Sequence, residues 1–224
     1  MHRLLYLLLV LVTSAQAQSV SWPYYAADAA SSNFAPLTQI DKNNFTTLEI
    51  AWRYAPPDGR ITDRFDVNRS TPLVVDGVMY YGSPLAILCA VDAATGEEIW
   101  TFDPGVWQAG GSFIGNTRGI AYWSDGQLER IFYATASDRL YSIDVVTGLP
   151  DPHFGTDGYV DLPSTLRRPI DRDRYGITSP PIVCRGVVVV GSAIVDWRFR
   201  TPTEYTPPGD VQAFDAQTGV KVWE

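Results

Sequence analysis

Histidine and cysteine are almost missing from this chain, with two of each in 224 residues. His2 lies in the opening stretch, so His153 is the single imidazole of the remainder. A histidine-rich metal centre is therefore excluded within this segment. No Cys-x-x-Cys-His occurs, which excludes c-type haem attachment here. There is no Ser-His-Asp order, no Walker loop and no Gly-x-Gly-x-x-Gly, so hydrolase and nucleotide-binding readings lack support. Positive charge is scarce as well: 17 Lys and Arg face 25 Asp and Glu, a net charge of -8. Phosphate backbones select basic faces, and no nucleic-acid partner is expected. Cys89 and Cys184 each sit inside an apolar strand. They read as two buried thiols in preference to one disulfide, because core cysteine behaves as a small hydrophobe.

Long apolar runs are limited to one, Leu4 to Val12, behind the basic His2-Arg3 and before Ala15-Gln16-Ala17. This is the pattern of a secretory signal peptide over residues 1–17, with the mature chain starting at Gln18 and exported. No cysteine follows the cut, so no lipoprotein anchor is expected.

What the chain does have is aromatics, 12% of residues, together with 18 Gly and 16 Pro, the mix of an all-β protein with short strands. It also has a repeat. Ala90, Asp92, Thr95, Gly96 and Trp100 return as Ala213, Asp215, Thr218, Gly219 and Trp223. A degenerate copy, Ser142, Asp144, Thr147 and Gly148, carries Pro152 in place of the Trp. Asp and Thr can bond the backbone of a turn, Gly supplies its positive-φ position, and the Trp is suited to packing on a neighbouring repeat. All-β repeats of this kind predict a propeller or a solenoid.

Taken in order, Trp22 to Phe45 reads as an extended arm and Leu48 to Tyr54 as a strand carrying a further docking residue, Trp52. Ala55 to Arg69 reads as a loop. Thr71 to Gly82 is a hairpin turned by Asp76-Gly77. With Ala86 to Asp92 and Glu97 to Phe102 it makes a first blade. Gly119 to Trp123, Arg130 to Ala136, Arg139 to Asp144 and a poor fourth strand make a second. Gly155 to Tyr175 reads as a long polar connection. Ser179 to Val183, Gly186 to Ser192, Val211 to Asp215 and Val220 to Trp223 make a third, with Arg185-Gly186 repeating the hairpin logic. Three blades cannot close a ring, so the expectation is the N-terminal piece of a longer propeller, incomplete over residues 18–224.

Several residues stand outside the repeat. Arg118 closes a Gly-rich loop ahead of a strand and is either a guanidinium aimed at an anionic ligand or a solvated loop residue. Thr178 and Ser179 open one strand, and Gly191, Ser192 and Ala193 close its hairpin partner; small residues there let a ligand approach backbone, or merely make turns. Asp196 follows a wholly apolar strand and is either a ligand for a hard cation or a loop carboxylate. Trp107, Trp123 and Trp197 are aromatics available for stacking on a planar ligand or for packing between blades. Asp171-Arg172-Asp173-Arg174 alternates in sign and reads as solvated surface.

The motifs occur in one order. The arm Ser31 to Ile40 leads to Leu48 and Trp52, then come Ser70-Thr71-Pro72-Leu73, Thr117-Arg118-Gly119 and Thr178-Ser179-Pro180-Pro181. That order resembles the dehydrogenases dependent on pyrroloquinoline quinone (PQQ), and within them looks most like the glucose and quinate dehydrogenase branch. The resemblance implies an eight-bladed propeller with about three blades present, the quinone at its axis and a calcium ion polarising a quinone carbonyl. It places Arg118 on the quinone's oxygens and Thr178 on one of its carboxylates. Ala193 and Val195 fall where relatives make backbone contacts to the quinone, and Asp196 at a calcium-binding position. The catalytic carboxylate base is expected beyond Glu224.

Three departures accompany the match. Ser112 and Phe113 stand where alcohol-oxidising relatives carry adjacent cysteines, which argues against a methanol-type enzyme. Arg69 replaces a quinone-binding Glu. No catalytic Asp falls within the chain. The reading is an exported, periplasmic dehydrogenase for an alcohol, sugar, polyol or cyclic hydroxy acid. A quinone or cytochrome would accept its electrons, and peripheral membrane association is compatible with it. The competing reading is a non-catalytic propeller that scaffolds contacts at the cell envelope, since such propellers share the Trp repeat.

Overall fold

A computed structural model describes residues 20–62, 68–109, 118–135, 138–194 and 205–224. Asp76-Gly77 turns the chain with φ angles of 49° and 81°, and Arg185-Gly186 with 50° and 74°. Two successive left-handed residues make a type I′ turn, whose twist matches that of the strands it joins. Each such turn opens a four-stranded antiparallel sheet.

The first blade is β1 (Leu73–Val75), β2 (Val78–Gly82), β3 (Leu88–Asp92) and β4 (Glu98–Phe102), hydrogen-bonded in that order. The second is β5 (Ala121–Ser124), β6 (Glu129–Ala134), β7 (Arg139–Asp144) and β8 (Tyr159–Asp161). A short ribbon strand β9 (Tyr175–Gly176) precedes the third blade, which is built from β10 (Ile182–Cys184), β11 (Val187–Gly191), β13 (Val211–Asp215) and β14 (Lys221–Trp223). Between β11 and β13 the chain makes β12 (Ala193–Ile194), which pairs with β9 and not with the blade. The all-β propeller architecture and the three blades are as expected.

Two clusters of buried side chains lie between the sheets. Leu73, Leu88, Ile120, Ile131 and Ile143 belong to the cluster that joins blades one and two. Phe132, Phe154, Leu162, Val188 and Phe214 belong to the one that joins blades two and three. Each such side chain, taken fully out of water, stabilises the fold by about 1.5–3 kcal/mol.

The repeat motif fastens one blade to the next. In every copy the Asp side chain accepts from the backbone N–H groups two and three residues on and from the Thr hydroxyl, as Asp92 does with Ala94 and Thr95. The Gly that follows is left-handed, at φ 74°, 69° and 71° for Gly96, Gly148 and Gly219. A Trp from the preceding segment lies flat on that Gly: a Cβ on Gly96 would stand 2.6 Å from the Trp52 ring, and one on Gly148 2.6 Å from the Trp100 ring. The indole N–H donates to the turn, Trp52 to the Ala93 carbonyl at 3.1 Å and Trp100 to the Val145 carbonyl at 2.9 Å.

Blade two lacks the Trp, and backbone takes its place. The Gly155 N–H donates to the Thr218 carbonyl at 2.9 Å, and a Cβ on Gly219 would stand 2.8 Å from the Gly155 nitrogen. With Pro152 in the motif, only Pro150 bridges back to Ile143, and the fourth strand is displaced to β8. The segment from Gly155 to Tyr175 is therefore more than a polar connection. It holds β8, two 3₁₀ turns (Leu162–Thr165 and Arg172–Arg174) and the start of β9.

Leu48 to Tyr54 is not a strand. No described strand pairs with it, and its Leu48 and Ile50 are exposed. Trp52 nevertheless docks as expected, and the Tyr54 hydroxyl donates to Glu98. The loop that follows contains one helical turn, Asp58–Ile61. The arm is extended only in part: it turns back on itself between Tyr24 and Asn33 and again at Asp41 to Asn44. Trp22 exchanges both backbone hydrogen bonds with Val74, adding to the free edge of β1. No helix among the described residues is long and apolar enough to cross a membrane.

The cysteines divide. Both are free thiols, Cys89 buried and Cys184 exposed. Two buried thiols were expected; β10 is an edge strand that leaves Cys184 open. Burial pushes the Cys89 thiol up to about 12, so it stays protonated and inert.

Candidate functional site

Arg118 and Thr178 lie just ahead of the first strands of blades two and three, and Thr71 holds the same place in blade one. The backbone ties the three together. The Thr71 N–H donates to the Arg118 carbonyl at 2.9 Å, and the Arg118 N–H donates to the Thr178 carbonyl at 3.2 Å. Both backbone groups of Arg118 are thus fixed, while the side chain is exposed and its guanidinium has no hydrogen-bond partner among the described residues. Thr178 is half-buried, and its hydroxyl is likewise without a partner among them.

Ala193 reaches the same edge by another route. It pairs with Gly176 across the β9–β12 ribbon, two residues before Thr178. Ser192 braces the ribbon: its hydroxyl donates to the Asp210 carbonyl at 2.8 Å, and its oxygen lies 3.4 Å from the buried Tyr175 hydroxyl. Three of the five sequence-predicted residues, Arg118, Thr178 and Ala193, are therefore brought together by main-chain contacts. Val195 and Asp196 lie outside the described residues, as do Trp197, Ser112 and Phe113. Arg69 is exposed.

Other expected candidates have structural places. Trp123 is buried in the core between blades two and three. Trp107 donates its indole N–H to Asp103 at 3.0 Å. The run from Asp171 to Arg174 is more ordered than a solvated surface. Arg172 grips both oxygens of Asp161, at 2.7 and 2.6 Å, and Arg174 pairs with Asp171 at 3.2 Å.

Chemically, a guanidinium and a hydroxyl carried on hydrogen-bonded backbone, neither with a partner among the described residues, are groups of the kind that can bind a planar anion. Backbone of small residues at Gly176 and Ala193 allows close approach. Among the described residues no three His, Cys, Asp or Glu converge as metal ligands. A cavity of about 370 Å³ lies elsewhere, between the arm residues Tyr24 and Tyr25 and the inner strands at Tyr122, Ile182 and Cys184. Neither Arg118 nor Thr178 lines it. Sequence reasoning missed Asp138, a buried carboxyl in the turn between β6 and β7 whose backbone carbonyl accepts from the Leu162 N–H. Its neighbours come from residues 161–175, so no local pattern marks it.

Successive four-stranded sheets locked by Trp on an Asp-x-x-Thr-Gly turn define a Trp-docked β-propeller. Residues 22–224 match the family described as PQQ glucose/ethanol/alcohol dehydrogenase, β-propeller domain, and the chain belongs to that family. It is 29% identical over 212 residues to the quinohemoprotein alcohol dehydrogenase of Comamonas testosteroni, covering 92% of this chain and 26% of that protein. It is 28% identical over 242 residues to the quinate/shikimate dehydrogenase (quinone) of Acinetobacter baylyi, covering 96% of this chain and 28% of that one. The crystal structure of the Comamonas protein superposes with a TM-score of 0.70 at 26% identity, over 92% of this chain and 27% of that one. A europium-containing methanol dehydrogenase shares the fold at a TM-score of 0.63 and 22% identity, over 91% of this chain and 31% of its own. The chain thus spans about a quarter of the length of the relatives it matches, 26% and 28% for the two named first.

Proposed function

We propose that this chain is the N-terminal portion of an exported, PQQ- and calcium-dependent dehydrogenase that oxidises an alcohol, sugar, cyclic polyol or hydroxy acid. The observation that carries the reading is the fixed edge formed by Arg118, Thr178 and Ala193. The donor set fits the cofactor: an unengaged cation and a hydroxyl suit a flat molecule bearing carboxylates and quinone oxygens. Bound PQQ supplies the hydride acceptor.

The work of this chain is binding and orientation. Arg118 holds quinone oxygens from a main chain anchored by two backbone hydrogen bonds. Thr178 donates its hydroxyl to a carboxylate, and the Ala193 and Val195 backbone borders the ring. Asp196 is assigned to the calcium. The base that removes the substrate's hydroxyl proton is assigned to chain beyond Glu224, and the electron acceptor to a membrane quinone or a cytochrome in the periplasm.

The test is reduction of an artificial dye by the full-length protein reconstituted with PQQ and calcium, over a panel of alcohols, sugars and quinate. Turnover that a chelator abolishes and calcium restores supports the reading. A folded protein silent across the panel contradicts it and leaves a scaffold.

A further inference from the structure

Asp138 closes the turn between β6 and β7 at φ 69°, its N–H donating to the Thr135 carbonyl at 3.1 Å. Ala86 holds the matching place in blade one, at φ 64° with its N–H on the Ser83 carbonyl at 2.9 Å. The turn itself thus has no need of a carboxylate. Yet Asp138 is 8% exposed, and its Oδ1 has no hydrogen-bond partner among the described residues.

The charged and titratable groups that face it come from three elements: Asp161 of β8, Arg172 and Asp173 of the 3₁₀ turn, and Tyr175 of β9. Arg172 is already committed, its two terminal nitrogens on the two oxygens of Asp161. Burial raises the Asp138 pKa to about 7, with Asp161 and Asp173 adding to burial and Arg172 opposing it. The Leu162 N–H donates to the Asp138 carbonyl at 3.0 Å, fixing the turn against the segment that leads to the ribbon. Arg172–Arg174 runs directly into β9, and β9 pairs with β12.

We propose that Asp138 is a positioning residue: neutral, it leaves Arg172 on Asp161 and the β9–β12 ribbon seated; ionised, it draws Arg172 away and loosens the ribbon. That the ribbon carries cofactor contacts rests on the proposed function; that Asp138 governs the ribbon does not. The sign follows from the acid's native value lying above its ordinary one. The folded protein holds the proton longer than the unfolded chain, so the ribbon is tightest below the acid's ordinary value of 3.8, and that stability is lost as pH rises from there through about 7.

The experiment is hydrogen exchange at the ribbon amides of the full-length protein, wild type against Asp138→Asn, from about pH 3.5 to about pH 9. Taking the ratio of the two proteins at each pH removes the intrinsic dependence of exchange on pH. The expected ratio of wild-type to variant exchange rates is near unity at the acid end, rises by about tenfold or more as pH approaches 7 and levels off above it. Arg172→Gln is the second variant, and in it the wild-type pH dependence is abolished. A ratio flat across the range, or a pH dependence unchanged in Arg172→Gln, overturns the proposal. PQQ affinity measured on the same samples is expected to fall with the ribbon's protection. A ribbon that responds in a protein binding no PQQ at either end overturns the cofactor reading and leaves the ribbon switch standing.

Discussion

The indole of Trp100 donates to the Val145 carbonyl and lies on Gly148, so the outer strand of one blade is pinned to the turn of the next. Gly148 serves twice there, by its left-handed φ of 69° and by leaving room for the ring. Gly186 has a similar φ of 74° but nothing within 4 Å of where a Cβ would stand. Gly148→Ala is therefore expected to destabilise by about 3 kcal/mol, and Gly186→Ala by about 1 kcal/mol. Trp100→Ala should cost about 2–3 kcal/mol, below a fully buried Trp because the ring is half-exposed. Denaturant unfolding checks all three. Equal losses for the two glycines would show that the indole contact contributes nothing.

Arg130 makes the second fastening, and it too lies in the blade without a Trp. Its guanidinium bridges Asp144 at 2.8 Å and Asp151 at 3.0 Å, with Arg130 and Asp151 both buried. Burial alone would raise the Asp144 value; bonds from the Thr147 N–H and hydroxyl, and then Arg130, outweigh it and hold the carboxyl below the ordinary range. Asp151 is likewise lowered against burial, by the His153 N–H and Arg130. A lowered carboxyl contributes stability above its ordinary value of 3.8, lost as pH falls through the native one. Arg130→Ala strands two carboxylates and is expected to cost about 3 kcal/mol at neutral pH, and less at about pH 3. Thermal unfolding at the two pH values checks this; a loss equal at both would contradict it.

Thiol labelling separates the cysteines. In the native protein maleimide should label Cys184 quickly and Cys89 only on unfolding, because Cys89 is buried and its thiol held near 12. Peptide mapping of the label identifies the site. Native labelling at Cys89 would contradict the packing of β3.

The repeat was legible because its chemistry is local. Asp, Thr and Gly act within five residues of one another, and the same atoms make the turn at Asp92, Asp144 and Asp215. The displaced fourth strand of blade two was not, because β8 pairs with Arg139–Tyr141 across a loop with no alternating pattern. Leu48–Tyr54 has the composition of a strand, but a strand is defined by its partner and none is described. Arg118 and Thr178 were found through their order along the chain, whereas the hydrogen bond joining them spans sixty residues and no spacing rule foretells it. Asp138 was hidden for the same reason: the charged groups that act on it, Asp161, Arg172 and Asp173, are distant in sequence.

The central claim is that the Arg118 side chain faces bound PQQ, and its direct measurement is titration of the full-length protein with PQQ in calcium. Because both backbone groups of Arg118 are held whatever the side chain, Arg118→Ala should fold with unchanged stability. Losing a charge-assisted, bidentate contact is expected to weaken binding by about tenfold to a hundredfold. Arg118→Lys should recover only part of that, since an ammonium cannot match two oxygens at once. Wild-type affinity in a folded Arg118→Ala protein would contradict the account and move the cofactor away from this edge.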